Sequence, residues 1–256
     1  MLVIRETQMA AFEQGAIRNF ETRLLEHLQE FFPKHCQILG DEQVRKVIRL
    51  GLERVEQYEL VSERDIHLYV GLMFMLGSFF DVDLQLPWAA KIFADQSMTN
   101  PTAPIDRVYE TAMRFLNRVA GKDSECLERA LNKARELPVT ALVRTDNDKQ
   151  QKVSFGEHLL KMLNSLWPEK YEVLGEETMR RLVQKGYEAG RGYNLQSEQG
   201  ATVYIALMFM LGSGFDNDPQ YPWAKAVLHE ASPSDSGNTG ELLYEGAKTH
   251  LDKWLA

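Results

Sequence analysis

The chain has 256 residues, 44% of them hydrophobic and 26% charged, with a formal charge of −8. That composition belongs to a folded globular protein and excludes both a disordered chain and a basic partner for nucleic acid or anionic lipid. The acidity is evenly spread, with 13 basic and 17 acidic side chains in residues 1–121 and 16 and 20 in residues 122–256. Cys36 and Cys126 lie outside any CxxC spacing, which reads as a reduced compartment. The opening Met-Leu-Val-Ile-Arg-Glu turns polar too soon for a secretory signal, and no apolar run reaches the length of a membrane span. A cytoplasmic location is therefore expected.

One unit is written twice. Leu72-Met-Phe-Met-Leu-Gly-Ser78 recurs as Leu207-Met-Phe-Met-Leu-Gly-Ser213, and the offset of 135 holds without a gap from Phe20/Phe155 to Val119/Trp254, with 35 identities in 100 pairs. In chain order, Phe20, Leu24, Leu25, Leu28, Phe31 and Phe32 have the spacing of an amphipathic helix that ends before Pro33; Thr7 to Asn19, with Met9, Phe12, Ala16 and Ile17, extends it. A second helix opens after Gly40 on Asp41 and Glu42, whose charge suits a helix N-terminus. A third is capped by Ser62 and is apolar nearly all round, so it is expected at the centre. The loop Phe80 to Trp88 leads to a short helix and then to a last one around Tyr109 to Val119. The equivalent residues of the second copy repeat each element. Between the copies, Asp123 to Leu137 reads as an additional helix stopped by Pro138, and Thr145 to Lys152 as a polar linker; Ala231 to Gly240 is a serine- and glycine-rich loop. With no strand alternation, the expected fold is all-α: two tandem homologous bundles of about five helices, residues 1–121 and 153–256, joined by a connecting segment, 122–152.

Nothing in either copy completes a catalytic signature. The loop Phe-Asp-x-Asp-x-Gln-x-Pro-Trp-Ala carries Asp81, Asp83 and Gln85, and again Asp216, Asp218 and Gln220. Carboxylates two apart can ligate calcium or magnesium, but the third ligand, turn glycine and distal glutamate of a calcium loop are missing. Hydrogen bonding to free amides of the loop is the favoured reading. His27, His35, His67, His158, His229 and His250 have no twins and form no metal-ligand spacing. The retained pairs Glu53/Glu188, Glu63/Glu198 and Glu110/Glu245 lack the Glu-x-x-His of a di-metal bundle, so capping and ion pairing are expected of them. Met73, Met75, Met208 and Met210 are expected in the core, with Gly51 and Gly186 allowing close helix approach. No catalytic residue, cofactor site or metal site is assigned.

At Phe31-Phe-Pro-Lys-His35, Leu39-Gly-Asp-Glu42, Ser62-Glu-Arg-Asp65, Leu72-Met-Phe-Met-Leu-Gly77 and Phe80-Asp-x-Asp-x-x-x-Pro-Trp-Ala89, the chain resembles small bacterial helical proteins encoded beside type VI secretion effectors and their spike components. The resemblance implies a cytoplasmic chaperone or adaptor for an exported effector, or an immunity protein that neutralises a cognate toxin. An enzyme or metal protein using the paired Asp loops is the third reading. A protein partner is expected, with no nucleic acid and no membrane. Arg54, Glu56, Gln57 and Arg191, where the second helix has diverged between the copies, together with Phe79, Tyr193 and Trp254, are the candidate partner contacts, because aromatic side chains and arginine anchor interfaces.

Overall fold

A computed structural model describes residues 6–230 and 239–256, with side chains from Gly15 onward except those of Ala16 and Glu230. The described residues form helices joined by loops, with no strand. The first copy holds α1 (Glu6–Phe31), α2 (Pro33–Leu39), α3 (Asp41–Glu56), α4 (Glu63–Leu76), α5 (Pro87–Phe93) and α6 (Ala103–Ala120). The connecting segment holds α7 (Glu125–Glu136) and α8 (Asp146–Gln150), and the second copy holds α9 (Phe155–Leu166), α10 (Pro168–Gly192), α11 (Glu198–Leu211), α12 (Pro222–Glu230) and α13 (Thr239–Leu255).

Two differences from the sequence reading have local causes. Pro33 starts a short helix instead of only ending α1, since its fixed φ and missing N–H suit the first helical position; Gly40 then stops it at φ 76°. Pro168 does the same in the second copy, where α10 bends at Gly175 with φ 75°. Among the described residues the first copy thus has six helices and the second five, of which α10 is bent. The polar linker also carries a helical turn, α8, because Thr145 and Asp148 bond each other's backbone amides. Of the N-terminal extension, the side chains of Met9, Phe12 and Ala16 lie outside the described residues, and Ile17 is 52% exposed. The Ala231–Gly240 loop falls outside them up to residue 238.

Two apolar cores form. Leu24, Val47, Tyr69, Met73, Phe80 and Val108 are buried in one, and their counterparts Leu159, Leu182, Tyr204, Met208, Phe215 and Leu243 in the other, together with Ala130 of α7 and Leu142. The central helix of each copy, α4 or α11, crosses its neighbour at a glycine. A Cβ on Gly51 would stand 2.7 Å from Val70, and one on Gly186 2.6 Å from Ile205.

Candidate functional site

The six polar side chains of the repeated loops fall into two groups, and only one serves its own copy. Asp81, fully buried, accepts two bonds from Arg54 Nη2 at 2.5 and 2.6 Å and one from the Tyr58 hydroxyl at 2.6 Å, with Gln57 at 3.4 Å. Arg54 also lies 5.1 Å over the Phe79 ring. Burial, and then the Asp81 bond and charge, push the Tyr58 phenol up, so it stays a protonated donor. The twin carboxylate, Asp216, has Ala189 where the first copy has Arg54 and is held by the hydroxyls of Tyr193 at 2.7 Å and Tyr204 at 3.1 Å. Burial and the Asp216 bond push Tyr193 up to about 12.

The second carboxylate of each loop reaches into the other copy. Asp218 accepts from the Ser78 N–H at 2.7 Å and the Ser78 hydroxyl at 2.6 Å; Asp83 accepts from the Ser213 N–H at 2.8 Å and the Ser213 hydroxyl at 2.5 Å. Gln85 Nε2 donates to the Met208 carbonyl and Gln220 Nε2 to the Met73 carbonyl, both at 2.8 Å. Those carbonyls belong to the last turns of α11 and α4, where helix acceptors have no partner of their own beyond the capping glycine N–H. Each loop therefore closes the end of the other copy's central helix, in a reciprocal clasp. Within its own loop each carboxylate also accepts the N–H of Gln85 or Gln220, which is the part of this arrangement anticipated from the sequence. Burial pushes the Asp218 carboxyl up, against the pull of the Ser78 and Gln220 donors.

Gly77 and Gly212 make the approach possible. Both have φ near +100°, at 97° and 106°, which a side chain disfavours, and a Cβ on Gly77 would stand 3.0 Å from the Leu211 carbonyl oxygen.

Around this symmetric centre the two sides of the seam differ. The Phe79 ring packs on Gly214, its own twin, where a Cβ would stand 2.7 Å from the ring. On one side Gln43 Nε2 donates to the Pro219 carbonyl at 2.6 Å, and Trp254 reaches from α13 to His35 on α2, with ring centroids 5.0 Å apart. Trp254 Nε1 donates to His250 Nε2 at 3.1 Å, so that nitrogen carries no proton. Burial, and then the neighbouring His250, lower His35 to about 4; burial and then Lys253 lower His250 to about 4. On the other side the twins of Gln43, His35, His250 and Trp254 are Thr178, Lys170, Phe115 and Val119.

Of the candidate partner contacts, Arg54, Gln57 and Phe79 gather around Asp81, and Tyr193 sits on Asp216. Trp254 is half-buried in the seam, whereas Glu56 and Arg191 are exposed. Val82, beside Phe79, is 62% exposed and was not singled out from the sequence, since a lone valine between two aspartates has no signature. The retained glutamates do not converge: Glu63 pairs with Arg23 and Glu198 with Arg144. The histidines reveal one further grouping that sequence spacing hid, His27 of α1 with its ring 4.8 Å from that of His67 of α4, tilted by 35°. No group of three or more His, Cys, Asp or Glu suited to a metal ion occurs among the described residues.

Arg54→Ala is expected to lower unfolding stability by about 3 kcal/mol, because a fully buried Asp81 would lose the guanidinium that pairs with it. Urea unfolding checks it, and a change below about 1 kcal/mol would mean that tyrosines alone suffice, as at Asp216.

The fold and seam thus define an all-α protein in which two copies of one unit are clasped through exchanged polar contacts. The chain matches no protein-family model, no curated protein and no solved structure. None of its described helices is long and apolar enough to cross a membrane.

Proposed function

We propose that the protein is a non-catalytic binding scaffold, a cytoplasmic chaperone or adaptor that holds a type VI secretion effector before export. The supporting observation is how the repeated polar residues are used. Asp81 and Asp216 accept bonds inside their own copies, and Asp83, Asp218, Gln85 and Gln220 bond across the seam. Both oxygens of Asp81 and of Asp83 already accept protein donors, which supports a role in maintaining shape. Recognition is then left to surfaces that differ between the copies, including exposed Glu56 and Arg191 and the Phe79–Val82 edge. The secretion role itself rests on the sequence resemblance.

Co-expression with the neighbouring effector is expected to raise that effector's soluble yield and to give a complex that survives gel filtration. Arg191→Glu, at an exposed position, is expected to weaken the complex without changing the scaffold's melting temperature. An effector that is equally soluble and equally well exported without this protein contradicts the proposal.

A further inference from the structure

On the Lys170 side the seam leaves a partly open cavity of about 130 Å3, lined by Phe74, Met75, Phe115, Val119, Met210 and Tyr221, with Gln85 and Lys170 among its polar walls. Its origin is legible in the comparison of the two sides. Trp254, the twin of Val119, and His250, the twin of Phe115, pack beside His35, whereas Val119 leaves room beside Lys170.

The Lys170 amine is a buried group with an incomplete set of partners. Among the described residues its one hydrogen bond goes to the Phe209 carbonyl at 2.5 Å, and it lies 5.0 Å over the Trp167 ring and 5.2 Å over the Phe209 ring. An ammonium group has three donors, so two N–H directions are unused. Gln85, 3% exposed, has no hydrogen-bond partner for its Oε1 among the described residues. The charged group sharing the cavity is Asp83, already engaged by Ser213. Burial lowers the Lys170 amine to about 8, with Asp83 pulling in the opposite direction. An amine desolvated by burial is held ready as a nucleophile, the state used by lysines that condense with carbonyl compounds. An open groove of about 410 Å3 lined by Trp88, Arg114, Arg118 and Leu174 shares Gln85 and Phe115 with the cavity and lies outside it.

We propose that Lys170 in the seam cavity is a capture site for small aldehydes, held as an imine. The neutral amine nitrogen forms a C=N bond to the carbonyl carbon. The carbonyl oxygen leaves as water, taking both amine hydrogens, so no oxidant or reductant is needed. The volume sets the size of the ligand. About 150 Å3 accommodates benzene, so this cavity suits an aldehyde of about five heavy atoms or fewer. This capture does not depend on the effector-binding reading, since it needs no partner protein.

The test is limiting propanal with cyanoborohydride on the full chain, followed by peptide mapping of the propylated lysines over pH 6 to 10. At pH 7 an amine titrating near 8 has roughly 250 times the neutral fraction of an ordinary lysine. Lys170 is therefore expected to label at least about tenfold faster than the mean surface lysine, with a rate that levels off above pH 8 while surface lysines continue to rise. A naphthaldehyde should label surface lysines and spare Lys170. Val119→Trp, which copies the filled side, should abolish propylation at Lys170 and leave surface labelling unchanged. Labelling of Lys170 no faster than that of surface lysines, or equal labelling by the two aldehydes, overturns the proposal; both comparisons are made on the wild-type protein and do not depend on a variant folding.

Discussion

Asp218→Ala is expected to lower unfolding stability by about 3–5 kcal/mol, a large part of the 5–15 kcal/mol that holds a typical domain. The carboxylate receives the N–H and hydroxyl of Ser78 and the N–H of Gln220, and Ser78 is fully buried. Truncation strands these donors where water cannot reach them, and each stranded donor costs about 1–3 kcal/mol. Part of that loss is returned, because the carboxylate itself is buried at a cost, as the upward push on its pKa indicates. Asp83→Ala should cost a similar amount, since Ser213 repeats the geometry. Urea unfolding followed by circular dichroism measures both, and a loss below about 1 kcal/mol at either position would show that the seam is held by apolar packing alone.

The second large effect is acid sensitivity centred on His35 and His250. Both titrate near 6.5 when unfolded and near 4 in the fold, where burial disfavours their charged forms. Between these values the unfolded chain binds more protons, so stability rises with pH through the window. The contribution is complete above pH 6.5 and is lost as pH falls towards 4, by about 3 kcal/mol for each ring. Protonation also breaks the bond from Trp254 Nε1 to His250 Nε2. The matched control is His250→Phe, which installs the residue found at the twin position, Phe115. Its stability should fall less than the wild type's between pH 6.5 and 4, by about 3 kcal/mol. Parallel pH profiles for the two proteins would show that His250 is not the group responsible.

Local signals carried the helices well. Ser62 and Ser197 cap α4 and α11 by accepting from the third residue onward, and Gly51 and Gly186 lie where the central helices cross. Pro33 and Pro168 were legible as the ends of α1 and α9 but not as the starts of the next helices, because a proline suits either side of such a boundary.

The site was only half legible, for a reason of symmetry. Asp83 and Ser78 share one copy, as do Asp218 and Ser213, and a repeated Ser…Asp pattern gives the same sequence whether each pair closes internally or is exchanged. Three-dimensional proximity decides it, with Ser213 meeting Asp83 across 130 residues. Arg54 is a similar case. Its replacement by Ala189 in the other copy suggests an outward anchor, yet it lies one helical turn before Tyr58 and points with it at Asp81. Lys170 and Val119 gave no signal alone; each acquires meaning only from its twin, His35 or Trp254, on the filled side of the seam.

The exchange of polar contacts between the copies is tested most directly by a double-mutant cycle on the full chain, with Ser78→Ala, Asp218→Ala and the double variant unfolded in urea. Direct bonding across the seam predicts that the double variant is less destabilised than the sum of the single variants, by about 2 kcal/mol. Effects that add within about 0.5 kcal/mol would mean that Ser78 and Asp218 act independently, and the clasp would be contradicted.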